Sequence, residues 1–445
     1  MSPRRGMTLV EMLVATTLTL IIMGVIAQLF GILGNSISRS RATLITSAQL
    51  RAVSHALRID LAGVTAPTVP PVAADGDAGY LEIIEGIESD TSRGTSQLIG
   101  DCDDALLFTT STLDRPYVGV FSGTSTIESR TAEVAWFCRP SDVTTAGMTL
   151  YNLYRRQLLV LDYVGAGEFV DDFDKNNAPK NRNRLAVVDF GSLPSATFSV
   201  LQSYDISLRA EGTEFVPNTL GDLTKRENRF AHNPSGTVSG TAFPYAGTSD
   251  YPLLSIRDDA LLADSRQGEE IVLRNVLAFD VRVFDPEAAI RSAPGSSVGL
   301  VPGDPGYATS GTTPLALGCY VDLGSGAAST TLMGTATALS KLTRIYDTWS
   351  THYECNGIDE NKDGVVDGGS DGLDNNMEQV DEFINGVKVS TFVIKPDGVV
   401  DDDAERDTQP PYPVPLRGIE IRIRCYEPSS REVRQVTVRH TFVPH

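Results

Sequence analysis

At 445 residues, 41% of them hydrophobic and 7% aromatic, the chain has the apolar content for a sizeable core and room for more than one domain. The net charge of −20 is uneven: residues 1–60 carry six arginines and two acids, a balance of +4, which leaves −24 for residues 61–445. Such an acidic body lacks the basic footprint that nucleic-acid binding demands and suits a hard cation such as calcium instead.

The first predicted element is a membrane helix. Met12 to Ser38 is a run of 27 residues without a formal charge, and about 20 apolar residues cross a bilayer core. Arg4 and Arg5 precede it, which keeps the N-terminus cytoplasmic. A secretory signal peptide would place its small-residue cleavage site after the apolar run. Here Gly6 comes before it, directly ahead of Met7-Thr8-Leu9-Val10-Glu11. Glu11 stands alone at the head of the run, where an unpartnered carboxylate is costly.

The stretch GMTLVEMLVA resembles the processing site of type IV prepilins and type II secretion pseudopilins. The resemblance implies that a prepilin peptidase cuts between Gly6 and Met7, that the new amine of Met7 is methylated, and that Glu11, the fifth mature residue, guides assembly. Met7 stands where the family usually has phenylalanine. Physically, a carboxylate in lipid is tolerable when paired, and the amine of a staggered neighbour supplies the partner. The blander reading is that Glu11 favours its own helix N-terminus through the macrodipole.

No proline lies between Pro3 and Pro67, so the helix is expected to run past the membrane to Gly63, about 84 Å from Met7 to Ala62 at 1.5 Å per residue. Beyond the membrane Ile37, Leu44, Ile45, Ala48, Ala52, Ala56 and Ile59 recur at helical spacing, the predicted body-facing stripe, with Arg41, Arg51 and Arg58 as polar positions. The body then reads as strand over 105–110, 133–137, 151–161 and 277–283, and as a terminal hairpin, 419–425 with 436–442, around a Pro428-Ser429-Ser430 turn. Asp171 to Asn183 reads as a solvated polar loop, with ion binding by its carboxylates as the alternative.

The order DALLFTT, AEVAWF, YRRQLLVL, IVLRNVLAFDVRVFDP and PLRGIEIRIRCYEPSSREVRQVTVRHTF resembles the J-type minor pseudopilins of type II secretion and the related W-type minor pilins. Residues 286–412 exceed what that family needs. Their first part, Arg291 to Ser340, is rich in Gly, Ser, Thr, Ala and Pro and is expected to be long loop.

Asp359, Asn361, Asp363, Gly364, Val365 and Asp367 reproduce the opening of a calcium loop. Positions one, three and five supply side-chain oxygens, glycine at six permits the turn, Val365 offers its carbonyl at seven and Asp367 stands at nine. Ser370 occupies the twelfth position, so the missing ligand is expected from Asp371 or Asp374. A shift of 15 residues suggests a degenerate second copy on Asp374, Asn376, Glu378 and Glu382. From Cys355 to Asp407 there are fifteen acids and four basic residues, which repel one another without a counter-ion. Calcium would fix this insertion; a solvated acidic loop is the alternative.

The five cysteines form no CxxC pair, and disulfides Cys102–Cys138 and Cys319–Cys355 are the expected pairings for a body outside the cytoplasm. The five histidines are scattered without HExxH, and His440 has the phase of a packing residue, so no enzyme activity is expected.

The expected fold is α+β: a long N-terminal transmembrane and spine helix packed on antiparallel β-sheets, with a large loop-rich, calcium-binding insertion. Its divisions are a leader (1–6), a transmembrane half-helix (7–38), a periplasmic half-helix (39–65), a β-rich pilin-like body (66–285), the acidic insertion (286–412) and the terminal hairpin (413–445). The resemblance implies a minor pseudopilin of a type II secretion system, anchored in the bacterial inner membrane with its body in the periplasm. It would enter the pseudopilus at or near the tip. Its partners would be the prepilin peptidase, other minor and major pseudopilins and possible exported substrates, with no nucleic acid. The alternative is a minor type IV pilin acting in pilus initiation or calcium-dependent adhesion.

Overall fold

The computed structural model describes residues 8–68, 78–85, 100–121, 125–145, 148–161, 202–211, 214–224, 228–230, 264–293, 298–304, 306–323, 345–348 and 415–442, the single residues Val164, Leu262, Gly295 and Ser296, and the backbone alone of 169–173, 179–186, 377–384 and 387–394. Helix α1, Leu9–Ala62, is unbroken over 54 residues, about 81 Å. It starts at a capping box between Thr8 and Glu11 and stops at Gly63, whose N–H donates to the carbonyls of Asp60 and Leu61.

The two halves of α1 meet different solvents. The apolar window of the first half is wholly unburied. Within it the hydroxyls of Thr16, Thr17 and Thr19 donate to carbonyls a turn back, at 3.0, 2.8 and 2.8 Å, so that none needs water. In the second half Thr46, Leu50, Val53, Leu57, Asp60 and Leu61 are buried. Their spacing of three and four residues draws one line along the helix. Burying the four aliphatic side chains stabilises the docking by roughly 6–12 kcal/mol as an upper bound.

This line is not the expected stripe. Leu44 is 66% exposed, Ile45 58% and Ile59 49%; of the predicted set only Ala56 packs partly against the core. Both lines are apolar at helical period, and periodicity cannot choose between them. The winning side carries the larger aliphatics together with Thr46 and Asp60, whose polar atoms find partners on the sheet.

After the helix come β1 (Leu81–Ile84), β2 (Ala105–Ser111), β3 (Tyr117–Phe121), β4 (Ser125–Ser129), β5 (Thr131–Thr145) and β6 (Met148–Val160). Next are β7 (Phe169–Phe173), β8 (Pro179–Ala186), β9 (Leu208–Glu211), β10 (Glu214–Pro217), β11 (Ile271–Ser292), β12 (Gly299–Leu300), β13 (Pro314–Val321) and β14 (Ile345–Asp347). The chain closes with β15 (Met377–Ile384), β16 (Val387–Ile394), β17 (Gly418–Glu427) and β18 (Glu432–Thr441).

The main antiparallel sheet has the order β14-β1-β2-β5-β6-β11-β17-β18, with β12 and β13 pairing the far end of β11. Alternation within the strands builds two cores. Leu106, Phe108, Val134, Trp136, Phe279, Val281, Ile421, Ile423 and Val438 pack with Leu50, Val53 and Leu57 of the helix. Leu107, Ala135, Phe137, Leu158 and Val160 belong to a second cluster with Tyr204, Ile206, Phe215 and Phe230. The five predicted strand regions are all strand, the terminal hairpin included; Ile421 faces Val438 and Ile423 faces Val436 across it.

Four expectations are corrected. First, β11 does not end near 285 but continues to Ser292, and Pro314–Val321, inside the presumed loop Arg291–Ser340, lies beside it as β13. Leu315 and Leu317 are exposed and Gly318 interrupts the strand at φ +88°, so β13 has no apolar alternation to read; its partner makes it a strand. Second, the polar stretch Asp171–Asn183 overlaps β7 and β8, which pair with each other although their sequences are charged. Third, Glu378 and Glu382 sit on β15, paired along its length with β16. Extended backbone does not curl round a cation as a glycine-turned loop does; Asp374 and Asn376, the other residues of the proposed second copy, lie outside the described residues. Fourth, Cys102 and Cys138 are buried in the helix-side core and no disulfide joins them. Cys355, the other proposed partner, lies outside the described residues.

Candidate functional site

The N-terminal site is built by the first turn of α1. The Glu11 backbone N–H donates to Thr8 Oγ1 at 3.2 Å, while Glu11 Oε2 accepts from the Thr8 N–H at 2.9 Å and from the Thr8 hydroxyl at 3.1 Å. Residues Thr-x-x-Glu before an apolar run form such a box because each side chain satisfies a backbone donor that the helix leaves unpaired. The local reading of Glu11 is therefore realised in the single chain. All described contacts of its carboxylate fall on Oε2. Gly6 and Met7 lie outside the described residues.

The second part is the joint between spine and body. Asp60, buried on α1, accepts from Arg155 Nε at 2.7 Å, from Arg155 Nη2 at 2.8 Å and from Trp136 Nε1 at 2.9 Å. A planar guanidinium fork on a carboxylate fixes orientation as well as distance. Some 14 to 17 residues back along the helix, about 21–26 Å at 1.5 Å per residue, it meets the terminal hairpin, where the Thr46 hydroxyl donates to Glu427 Oε2 at 2.8 Å and the Thr43 hydroxyl to Glu432 Oε2 at 3.3 Å. Burial opposes ionisation of Glu427, but hydrogen bonds from the Ser429 backbone, Thr46 and Ser429 outweigh it and hold its carboxyl below the usual range. A force on the membrane half of α1 is thus passed to β5, β6 and the β17–β18 hairpin.

Sequence reasoning missed a group of acids at the start of β2. Glu85, Asp101 and Asp104 are all buried, with ligand oxygens within 4.8 Å of one another. The Val281 N–H donates to Asp104 Oδ2 at 2.7 Å and the Leu323 N–H to Glu85 Oε2 at 3.3 Å, so the acids tie β11 and the end of β13 to β1 and β2. Burial first, then the charge of Asp104, pushes the Asp101 carboxyl far above its ordinary range. The signal was the density of acids in Asp101-Cys102-Asp103-Asp104, which reads as a surface turn.

The calcium candidates Asp359, Asn361, Asp363, Val365, Asp367, Asp371 and Asp374 lie outside the described residues. His440 is half-buried against Phe442, ring centroids 4.8 Å apart, and burial lowers its pKa.

Residues 1–27 match a family profile described as the prokaryotic N-terminal methylation motif. No curated protein and no solved structure matches the chain. The motif indicates a prepilin of the type IV pilin and pseudopilin kind, which implies processing by a prepilin peptidase and assembly with other pilins. The apolar helix that follows it suits a single-pass membrane anchor.

Proposed function

We propose that the chain is a minor pseudopilin of a type II secretion system, of the J type, cut after Gly6, methylated on Met7 and placed at or near the pseudopilus tip to support protein export. The observation that carries this reading is the single 54-residue helix, capped through Glu11 at one end and locked into the body at the other. Such a helix joins membrane extraction to movement of a folded domain, which is what filament assembly requires and catalysis does not. A body this large would obstruct packing if repeated along a filament, which favours the tip. With one oxygen on Thr8, Glu11 can hold its own helix end and meet a neighbour's Met7 amine together.

The test is co-purification of full-length protein with other pilin-like subunits from native membranes. Glu11→Leu should be cleaved normally yet be recovered with partners at least about tenfold less, the worth of one lost charge pair in lipid. Equal recovery would refute the assembly role.

A minor type IV pilin with a calcium-dependent adhesive insertion is the second reading, favoured by the acid density of Cys355–Asp407. In either reading calcium is structural, held by Asp359, Asn361, Asp363, the Val365 carbonyl and Asp367, with Asp371 or Asp374 completing the set. No catalytic residue is assigned.

A further inference from the structure

We propose that a basic groove on the outer side of the β17–β18 hairpin binds an acidic, partly apolar segment of a partner polypeptide. This goes beyond filament assembly through α1 and does not depend on it. A cavity of about 440 Å³ is lined by Arg58 of α1 and by Glu420, Arg422, Gln435, Thr437 and Arg439. A second, of about 260 Å³, shares Glu420, Arg422 and Arg439 and adds Phe284, Val301 and Tyr320. The shared residues make the two one groove, within the size range of ligand sites.

Its charge is arranged in advance. Glu420 is buried, its Oε1 accepting from Arg422 Nη2 at 2.7 Å and its Oε2 from Arg439 Nε at 2.5 Å. Arg439 also lies over the Tyr320 ring, 5.5 Å from its centroid, with its side chain 66% exposed. Three guanidinium groups against one carboxylate give the lining a net +2. In the described bonds Glu420 takes the Nε and Nη2 edge of Arg422 and the Nε of Arg439, so Arg422 Nη1 and both terminal nitrogens of Arg439 stand outside these bonds, on residues that line the groove.

Exposed charges on an edge strand also deter edge-to-edge pairing, but that role needs neither a concavity nor a buried acid that fixes two arginines. Guanidinium forks match carboxylates in geometry, and Phe284, Val301 and Tyr320 offer an apolar seat beside them. The sign is selective. The body carries −24 over residues 61–445 and as a whole repels an acidic chain, so complementarity favours a local basic lining such as this groove.

The test uses full-length protein in detergent and a fluorescent octapeptide of alternating glutamate and leucine, with its lysine counterpart as control, followed by anisotropy. The glutamate peptide should bind and the lysine peptide should not. Arg58→Glu should weaken binding about tenfold, and Tyr320→Ala about threefold. Arg51→Glu, on the same helix outside the groove, should change it less than twofold; melting curves establish that each variant is folded. Absence of binding by the glutamate peptide, or equal losses from Arg58→Glu and Arg51→Glu, would overturn the proposal.

Discussion

Asp60 shows how one side chain decides the relation between membrane anchor and body. It is buried on a helix, where a carboxylate is stable when its partners are in place, and the Arg155 fork with the Trp136 indole N–H supplies them. Arg155→Ala should therefore cost about 3–5 kcal/mol, because it leaves the acid buried without its countercharge. Urea unfolding of the full chain in detergent measures this, and a cost under about 1 kcal/mol would contradict it. Asp101 behaves in the opposite sense. Its pKa is raised in the fold relative to the unfolded chain, so its stabilising contribution is complete below about pH 4 and is lost as pH rises above that value. Asp101→Asn should increase stability relative to the parent by an amount that grows from pH 4 to pH 8. A pH-independent difference would place the cause elsewhere.

At the scale of elements, the long helix and the alternating strands were legible because each carries its own period. Which face of α1 meets the sheet was not legible. The predicted stripe with Leu44, Ile45 and Ile59 and the buried line with Leu50, Val53 and Leu57 have the same period, and sheet contacts decide between them. Leu57→Ala should cost about 2–5 kcal/mol, whereas Ile59→Ser should change the stability of the unassembled protein by less than about 0.5 kcal/mol. Equal costs in thermal melts would restore the predicted face. Strands β7, β8 and β13 escaped notice for a different reason: charged or glycine-broken sequences can be strand when a neighbouring edge offers hydrogen bonds, and sequence does not display that neighbour. The capping box was legible only in part. Glu11 drew notice as an isolated acid, while its bond to Thr8 required the turn itself.

The whole molecule couples an apolar half-helix to a ten-stranded sheet through a buried ion pair, an aliphatic seam and a hairpin contact. The proposed calcium loop sits in the acidic stretch that follows, so its effect should be local. Chelation with EDTA should expose new protease sites between Cys355 and Asp407 and leave the signature of α1 in circular dichroism unchanged. Unaltered proteolysis would refute a structural calcium. The most direct measurement is mass spectrometry of the N-terminal peptide from protein in its native membrane. Processing as a prepilin predicts a chain that begins with N-methylated Met7. An intact Met1–Gly6 segment, or a cut beyond the apolar run, would contradict it.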